Sequence, residues 1–464
     1  MSILTRKKLN FYRFLSVKLT DNDLYPHVRY GEIFTLEEIK DFWQKTIKAI
    51  LEKKASQKLG LYIHIPFCRQ KCSFCFCDSY VPFSYSEVET YLVLLKREIN
   101  IFKEIFKPVS FTSVYFGGGS PACLKNKDLE NLFHFIYQNF MISPHSQIMF
   151  EGTSTDLTKD VLLLLVKNGV NRLTIGAQSL DSKVIKLMRR PQTKERFIMV
   201  YRLARKLGIP YINIDLIAGL EGQSVSSFIS DLETVLELGA DMVHVSGFTP
   251  LSHTSFCKEG KRFSLEQKRN RNIMIAESKR IKTSFFSEIT SDEQGLSEEA
   301  ANTQEKDARE ENSSILGIGY SAQSHAFGQV WYEHPCVLAL NSMPNYKKLP
   351  IFRGVRSNPD EEMRTFIFNN IQKGFSRTFF YQLFKKDAFL VFKPQILELI
   401  KIGKLKSEGD RIVSQIKHTK EFLLLSKLFY SKDRLKAILQ KHKDEYREDK
   451  DYRKKFELLI ADTE

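Results

Sequence analysis

Long apolar segments are absent from this sequence. No stretch of the 464 residues approaches the roughly 18–20 apolar residues that a membrane span needs. The opening residues MSILTRKKLNFYRF also lack the apolar segment of a secretory signal. A disulfide framework is not expected in a chain of this length without a secretory signal, and the 7 cysteines, four of them clustered, fit a reducing cytosol. We therefore expect a cytoplasmic protein without a membrane span.

Acidic residues are too few to balance the basic ones. Lys and Arg number 70 against 55 Asp and Glu, which gives a formal net charge of +15. This charge suits nucleic acid, an anionic lipid face or a polycarboxylate substrate, although a lysine-rich surface alone would also produce it. The basic residues are spread along the chain, and no nucleic-acid-binding module is recognisable. We therefore exclude nucleic acid as the primary partner.

Four of the 7 cysteines lie together, directly after the apolar segment 61–67. Cys68, Cys72, Cys75 and Cys77 have the spacing C-x3-C-x2-C-x-C. Cysteine thiolates are the usual ligands of iron–sulfur clusters, and a site made of three leaves one iron open. A zinc knuckle is the alternative, but zinc sites of this kind usually bring two C-x2-C pairs and no second pair is present. The spacing favours an iron–sulfur cluster.

The order of apolar segments indicates an α/β fold. From 61 to about 250, short β-branched segments alternate with longer amphipathic ones, which is typical of βα units and a parallel sheet. Six units predict a partial, open barrel, with chemistry at the carboxyl ends of its strands. The predicted strands are 61–65, 113–116, 147–151, 172–176, 211–217 and 242–247. The predicted helices between them are 86–105, 127–139, 158–168, 193–207 and 225–238.

Other segments flank this barrel. A helical pattern at about 36–53 predicts an N-terminal arm that packs against the barrel, and 264–282 is also predicted to be helical. The polar segment 291–312 is predicted to be a mobile loop. The C-terminal part is predicted to contain helices at 360–372, 377–385 and 394–402, a hairpin at 403–410 as in a winged helix, and a charged helix at 421–464. The expected domains are an N-terminal arm at 1–60, a core barrel at 61–330 and a mainly helical C-terminal domain at 331–464.

The segment YIHIPFCRQKCSFCFC resembles the cluster motif of the radical S-adenosylmethionine (SAM) superfamily. More narrowly, it is similar to that of the oxygen-independent coproporphyrinogen III oxidase family. The resemblance implies a partial (β/α)6 TIM-like radical SAM barrel in which Cys68, Cys72 and Cys75 hold a [4Fe–4S] cluster. It also implies that SAM binds the fourth iron and that its one-electron cleavage starts hydrogen abstraction from the substrate. Cys77 matches an additional cysteine of the oxidase branch, and its role stays open.

Further segments match the family in the same order along the chain. Glycines let the backbone approach a ligand and offer its amides as donors, an arginine suits a carboxylate, and an aspartate inside an apolar strand needs a partner. The structural alternatives are core packing for the aromatic residues, a solvated basic turn for Arg190 and a salt bridge between strands for Asp215. The SAM-binding residues that the resemblance implies are Tyr62, Phe74, Gly118, Gly119, Ser120, Glu151, Gln178, Arg190, Asp215, Thr249 and Gln323.

The resemblance implies oxidative decarboxylation of propionate side chains in haem biosynthesis. It further implies an anionic tetrapyrrole substrate, an electron donor such as a flavodoxin or ferredoxin, and a monomer. The oxidases commonly carry an R-Y-T-S-Y-P-T-A-like string near the N-terminus, whereas this chain has only Tyr25-Pro26 and Arg29-Tyr30. The alternatives are a haem chaperone, a haem-degrading or methyl-transferring radical SAM relative, and a zinc-binding structural protein.

Overall fold

The structure is a computed structural model that describes residues 31–281, 288–292, 311–334, 352–416, 421–422, 425–431 and 433–434. The strands are β1 (Glu32–Phe34), β2 (Leu59–Ile65), β3 (Ser110–Gly118), β4 (Met141–Thr153), β5 (Arg172–Gln178), β6 (Tyr211–Ala218), β7 (Met242–Gly247), β8 (Glu288–Asp292), β9 (Ser314–Ile318), β10 (Gln323–Ala326), β11 (Val330–Glu333), β12 (Phe352–Arg356), β13 (Phe375–Ser376), β14 (Leu405–Glu408) and β15 (Arg411–Ser414). The helices are α1 (Leu36–Leu51), α2 (Tyr85–Phe106), α3 (Asn126–Asn139), α4 (Lys159–Lys167), α5 (Ser182–Leu187), α6 (Lys194–Lys206), α7 (Val225–Glu237), α8 (Ser255–Lys258), α9 (Leu265–Ile281), α10 (Pro359–Asn370), α11 (Arg377–Phe384), α12 (Ala388–Val391) and α13 (Lys393–Lys401).

A 12-stranded sheet forms the centre of the molecule. Its order is β1-β12-β11-β10-β9-β2-β3-β4-β5-β6-β7-β8. Neighbouring strands from β9 through β2 to β8 are parallel, and β10, β11, β12 and β1 add an antiparallel extension. Within the described ranges the sheet ends at β1 and β8, so the parallel part is an open barrel as predicted.

The six predicted strands all lie within β2 to β7, and the five predicted helices correspond to α2, α3, α4, α6 and α7. The apolar sides of these elements pack together in one core. The strand β2 lies at its centre and is nearly buried on both faces. The prediction of six parallel strands was incomplete, since β8 and β9 extend the parallel part at its two ends. No helix in the described part of the chain is long and apolar enough to cross a membrane.

The N-terminal arm contacts the sheet through its helix α1 and also through the short strand β1. Thr35 caps α1 in a capping box with Glu38, and the buried side of α1 carries Trp43. The indole of Trp43 donates to the hydroxyl of Tyr332 at 2.8 Å. The short strand β1 pairs with β12, which sequence analysis did not predict because the two segments lie far apart in the chain. Residues 1–30 lie outside the described residues.

The C-terminal segment has a hydrophobic core of its own, in which Phe366, Phe380 and Leu399 are almost completely buried. The three predicted helices correspond to α10, α11 and α13, and the predicted hairpin is formed by β14 and β15. The predicted loop at 291–312 begins within β8, and its residues 293–310 lie outside the described residues. Most of the charged helix predicted at 421–464 also lies outside them.

A buried ion pair joins α2 to the strands beyond β9. The His334 ring lies 2.5 Å from the carboxylate of Glu98, which also accepts a hydrogen bond from the backbone of Gly319 at 3.0 Å. Burial opposes the charge on His334, but the Glu98 carboxylate raises its pKa above the ordinary value. The folded protein therefore binds the proton more tightly than the unfolded chain does.

We expect this pair to make stability depend on pH. A pKa that is raised on folding contributes stability below the unfolded value of about 6.5, and the contribution is lost as pH rises through the folded value. Replacing His334 by Gln should lower the free energy of unfolding by about 3 kcal/mol at pH 6, because Glu98 is left buried without its partner. Urea unfolding of wild-type and variant chains at pH 6 and pH 9 would measure this, and an equal difference at both pH values would contradict it.

Candidate functional site

The four clustered cysteines lie in the loop that follows β2. The backbone N–H of Cys68 donates to the carbonyl of Tyr80 at 3.0 Å, and that of Cys75 donates to the carbonyl of Cys72 at 3.2 Å. These bonds fold the loop back over the end of β2. All four thiols of the loop are free of disulfide bonds, so they are available as sulfur donors.

The acidity of these thiols depends on burial and on their mutual contacts. Burial raises the pKa of Cys68 to about 11 and also raises that of Cys72. A hydrogen bond with Cys77 lowers the pKa of Cys75 to about 5, and the same contact raises the pKa of Cys77. Metals bind the thiolate form, and binding displaces the protons of such buried thiols. The donor set therefore fits a soft, thiolate-bound centre such as an iron–sulfur cluster.

The thiols do not form a site for a single metal ion. Within the described ranges, no group of three or more His, Cys, Asp or Glu side chains is arranged to hold one. An iron–sulfur cubane does not require this convergence, because each cysteine binds a different iron atom. The loop supplies the free cysteine sulfurs that the predicted cluster requires.

Arg190 lies directly behind the cysteine loop. One end of its guanidinium donates to the Cys72 sulfur at 3.6 Å, and the other donates to the carbonyl of Gly176 at the end of β5. Its Nε donates to the side chain of Gln192 at 3.0 Å. Sequence analysis placed Arg190 at the SAM site, and the structure adds that it links β5 to the loop of the predicted cluster ligands.

Gln178 ends β5 in an uncommon backbone conformation. The pairing of β5 with β6 shifts between Gly176 and Gln178, and Gln178 has a φ of 66°. A side chain at Gly176 would meet the amide of Gln178 at 2.9 Å and the guanidinium of Arg190 at 3.1 Å. The glycine therefore makes room for both polar side chains. Left-handed conformations of residues other than glycine are concentrated at functional sites.

The glycine-rich segment at the end of β3 packs tightly against the cysteine loop. Gly118 has a φ of 110°, and a Cβ there would meet the His64 ring at 2.7 Å. A Cβ on Gly119 would meet the Phe67 carbonyl oxygen at 2.4 Å. The N–H groups of Gly119 and Ser120 donate to the carbonyls of Ile65 and Phe67, each at 2.8 Å. The expectation that the amides of this segment are open to a ligand is therefore wrong for these two, because they bind the loop after β2.

Asp156 connects three loops of the site, and sequence analysis missed it. Its buried carboxylate accepts hydrogen bonds from Arg69 in the cysteine loop at 2.7 Å, from the Ser120 hydroxyl at 2.7 Å and from the Thr153 hydroxyl at 2.9 Å. The Ser120 hydroxyl, predicted to bind SAM, is thus used to order its own loop. The only signal in the sequence was an acidic residue in the polar turn Thr153-Ser154-Thr155-Asp156, a pattern that many turns share.

Aromatic and acidic side chains meet on the inner face of β2, β3 and β4. The hydroxyl of Tyr62 lies 3.0 Å from Nδ1 of His64, and Tyr115 donates a hydrogen bond to Glu151. A Cβ on Gly117 would lie 3.2 Å from the Tyr62 ring and 3.3 Å from a Glu151 oxygen. Burial lowers the pKa of His64 to about 4, so this histidine is neutral at pH 7. The predicted residues Tyr62 and Glu151 are thus brought together around the glycine segment.

Asp215 lies on β6, in register with Gly176 of β5 and His244 of β7. The amide of Asn213 donates to its carboxylate at 2.8 Å. Burial raises the pKa of Asp215, while His244, Asn213 and Arg190 act in the opposite direction. The carboxylate therefore faces polar groups on its own strand and on neighbouring elements, as an aspartate inside an apolar strand requires.

The remaining predicted residues lie at the same end of the sheet but at its periphery. Phe74 is buried and packs with Cys72, Met188 and Phe248. Thr249 is exposed beyond the end of β7, and Gln323 is exposed at the start of β10. The structure therefore gathers the other predicted residues at the carboxyl ends of β2 to β6 and leaves these two side chains in contact with solvent.

Comparison with known proteins agrees with this geometry. Residues 62–235 match the model of the Radical SAM superfamily, and the chain therefore contains a radical SAM domain. This class implies a [4Fe–4S] cluster and SAM as cofactors. Within the class, the chain is 31% identical over 245 residues to the oxygen-independent coproporphyrinogen III oxidase of Escherichia coli K12, in a match that covers 51% of this chain and 54% of that protein.

Other relatives are named either as coproporphyrinogen III oxidases or as heme chaperones. The chain is 32% identical over 198 residues to an oxygen-independent coproporphyrinogen III oxidase of Bradyrhizobium diazoefficiens, which covers 42% of this chain and 44% of that protein. It is also 29% identical over 190 residues to the heme chaperone HemW of Buchnera aphidicola from Acyrthosiphon pisum, which covers 41% of this chain and 50% of that protein. The matches span about half the length of these curated relatives.

One solved structure matches over most of its length. The coproporphyrinogen III oxidase HemN of Escherichia coli superposes with a TM-score of 0.66, at 22% sequence identity, covering 82% of this chain and 93% of that one. At this identity the match shows the fold. It supports the mixed α/β architecture with a mostly parallel sheet.

Proposed function

We propose that this protein is a radical SAM enzyme that oxidatively decarboxylates propionate side chains of a porphyrinogen. One observation carries the proposal: the three-cysteine loop lies beside the predicted SAM residues in a chain whose relatives include several coproporphyrinogen III oxidases. The net charge of +15 suits a substrate that carries several carboxylates.

The residues of the chain have distinct roles in this proposal. Cys68, Cys72 and Cys75 would hold the cluster, which together with SAM supplies one-electron chemistry for removing a hydrogen atom from carbon. Arg190 and Asp215 would bind the charged and hydroxyl groups of SAM. The tight packing of the glycine segment against the cysteine loop would keep water away from the reacting atoms.

The proposed reaction balances for each propionate. One hydrogen atom leaves the side chain, the carboxylate leaves as carbon dioxide, and one electron passes to a one-electron acceptor, so that a vinyl group remains. For each propionate, one SAM and one electron from an external donor such as a flavodoxin or ferredoxin would be converted to methionine and 5′-deoxyadenosine, and the 5′-deoxyadenosine would carry the hydrogen removed from the side chain. A monomer would suffice, because each group named lies within one chain.

A reconstitution experiment tests this function. The chain is loaded anaerobically with iron and sulfide and is given SAM, a reductant, an electron acceptor and coproporphyrinogen III. We expect SAM consumption, release of carbon dioxide and formation of protoporphyrinogen IX. Mass analysis of the products measures this outcome. The Cys72→Ala variant, which lacks a proposed cluster ligand, is the matched negative control.

The similarity to heme chaperone HemW supports a second candidate. Tight haem binding and transfer to an acceptor protein, without decarboxylation by the reconstituted chain, would favour that function over the oxidase. SAM-dependent loss of haem would instead indicate a ring-opening enzyme. Either result would contradict the proposed decarboxylation.

A further inference from the structure

Four polar residues form a strip on the inner face of two neighbouring strands. Asn213 and Asp215 alternate along β6, and His244 and Ser246 alternate along β7. Asp215 lies in register with His244. The residues between them, such as Val245, are completely buried on the opposite face, which packs into the hydrophobic core. We call the four residues the β6–β7 strip.

Hydrogen bonds hold both ends of the strip. The Asn213 amide donates to one oxygen of Asp215 at 2.8 Å. On β7, the Ser246 hydroxyl lies 2.8 Å from Nε2 of His244. The imidazole is therefore fixed by Ser246 on one side while it stands beside Asp215 in the register of the sheet.

Burial makes the charge of Asp215 depend on its neighbours. Burial raises the pKa of this carboxyl, and the opposing groups are His244 on β7, Asn213 on its own strand, Arg190 in the loop after α5 and Arg172 at the start of β5. Of these groups, His244 has the largest opposing effect. Without His244, the ionised form of Asp215 would lose its strongest support.

The strip also contains an open acceptor. The side-chain oxygen of Asn213 is buried, and no donor in the described part of the chain reaches it. A buried acceptor of this kind is normally satisfied by water or a ligand. It lies two residues along β6 from Asp215, so both residues present oxygen atoms toward the same interior.

The strip ends below the cysteine loop. Ser246 is in register with Ile217 of β6, and Ile217 packs, as Cys75 does, against the buried group that contains Cys72 and Phe74. A ligand bound near the cysteine loop can therefore reach the upper end of the strip. Neither His244 nor Ser246 belongs to the residues that the sequence resemblance implied.

We propose that His244, held by Ser246, is a positioning residue that keeps the Asp215 carboxylate oriented and available to accept hydrogen bonds from the ribose hydroxyl groups of SAM. The inference rests on the proposed SAM site and extends it by a second pair of residues. It assigns no proton transfer to His244. A purely structural histidine would affect folding and not the pH dependence of SAM binding.

SAM affinity of the anaerobically reconstituted chain, without tetrapyrrole, tests the proposal. We expect His244→Gln to weaken SAM binding about tenfold, as for loss of one interaction with a charged group. The acid limb of the binding curve should also move to higher pH, because Asp215 loses a neighbour that lowers its pKa. Ser246→Ala should weaken binding and Ser246→Thr should restore it. His134→Gln, on the exposed side of α3, is the matched control and should leave affinity unchanged.

The possible failures are distinguishable. Unchanged SAM affinity in Asp215→Ala would overturn the proposed SAM site itself. Weaker binding in Asp215→Ala together with wild-type affinity and pH profile in His244→Gln would overturn only the role of His244. If His244→Gln does not retain iron, its SAM affinity does not test the proposal, and the two Ser246 variants are compared instead. Equal SAM affinities of Ser246→Ala and Ser246→Thr would overturn the proposal.

Discussion

Alanine in place of Cys72 is expected to abolish the iron–sulfur cluster, whereas alanine in place of Cys77 is expected to leave it intact. Cys72 is buried, and its sulfur already accepts a hydrogen bond from Arg190. Cys77 is exposed, and its thiol is paired with that of Cys75. Three cysteines suffice for a cubane whose fourth iron binds SAM, so the fourth cysteine of the loop is not required as a ligand.

Iron and sulfide analysis of anaerobically reconstituted variants measures this difference. Cys68→Ala and Cys75→Ala should resemble Cys72→Ala, with iron near background. Cys123→Ala is a suitable control, because Cys123 lies in the short turn after the glycine segment and is not a predicted ligand. Loss of the cluster from Cys77→Ala as complete as from Cys72→Ala would show that the three-ligand assignment is wrong.

The second large effect is expected on SAM binding. Arg190→Ala and Asp215→Ala each remove a charged group that we propose to be desolvated around SAM. The loss should amount to about 2–4 kcal/mol, which corresponds to about 30- to 1,000-fold in affinity. Equilibrium binding to the reconstituted variants, with iron content determined in parallel, measures it.

Arg190 needs a matched variant because it also holds other parts of the protein in place. Its guanidinium donates both to the Cys72 sulfur and to the Gly176 carbonyl, so alanine also disturbs the link between β5 and the cysteine loop. Arg190→Lys retains the charge but not the paired donors. We expect both Arg190 variants and Asp215→Ala to keep the cluster. Unchanged SAM affinity in Arg190→Ala and Asp215→Ala would place the SAM site elsewhere.

Local patterns were sufficient to predict six strands of the parallel part, β2 to β7, but not β8 and β9. Strands such as β2 and β6 are short and apolar, and amphipathic helices separate them, so their type follows from nearby residues. Their polar residues end up near one another because the carboxyl ends of parallel strands meet at one edge. The resemblance to the oxidase family implied SAM-binding roles for Glu151 and Asp215, and this geometry is consistent with their lying near one another.

Features that depend on distant partners could not be predicted in this way. The pairing of β1 with β12 joins segments more than 300 residues apart and has no local signal. The roles of Asp156 and His244 depend on which loops and strands lie beside them. Ser120 is predicted to bind SAM because it stands at the threonine position of the family's glycine-rich motif, and the sequence gives no sign that its hydroxyl bonds to Asp156.

Contacts between distant parts of the chain also determine where the chain can be divided. The superfamily match begins at residue 62, within β2, and ends at residue 235. A fragment with those limits would lack β9, the neighbour of β2, and the Trp43–Tyr332 bond. It would expose the backbone hydrogen-bonding groups of a central strand, and exposed strand edges promote aggregation. The region that identifies the chain is therefore smaller than the region that folds as a unit.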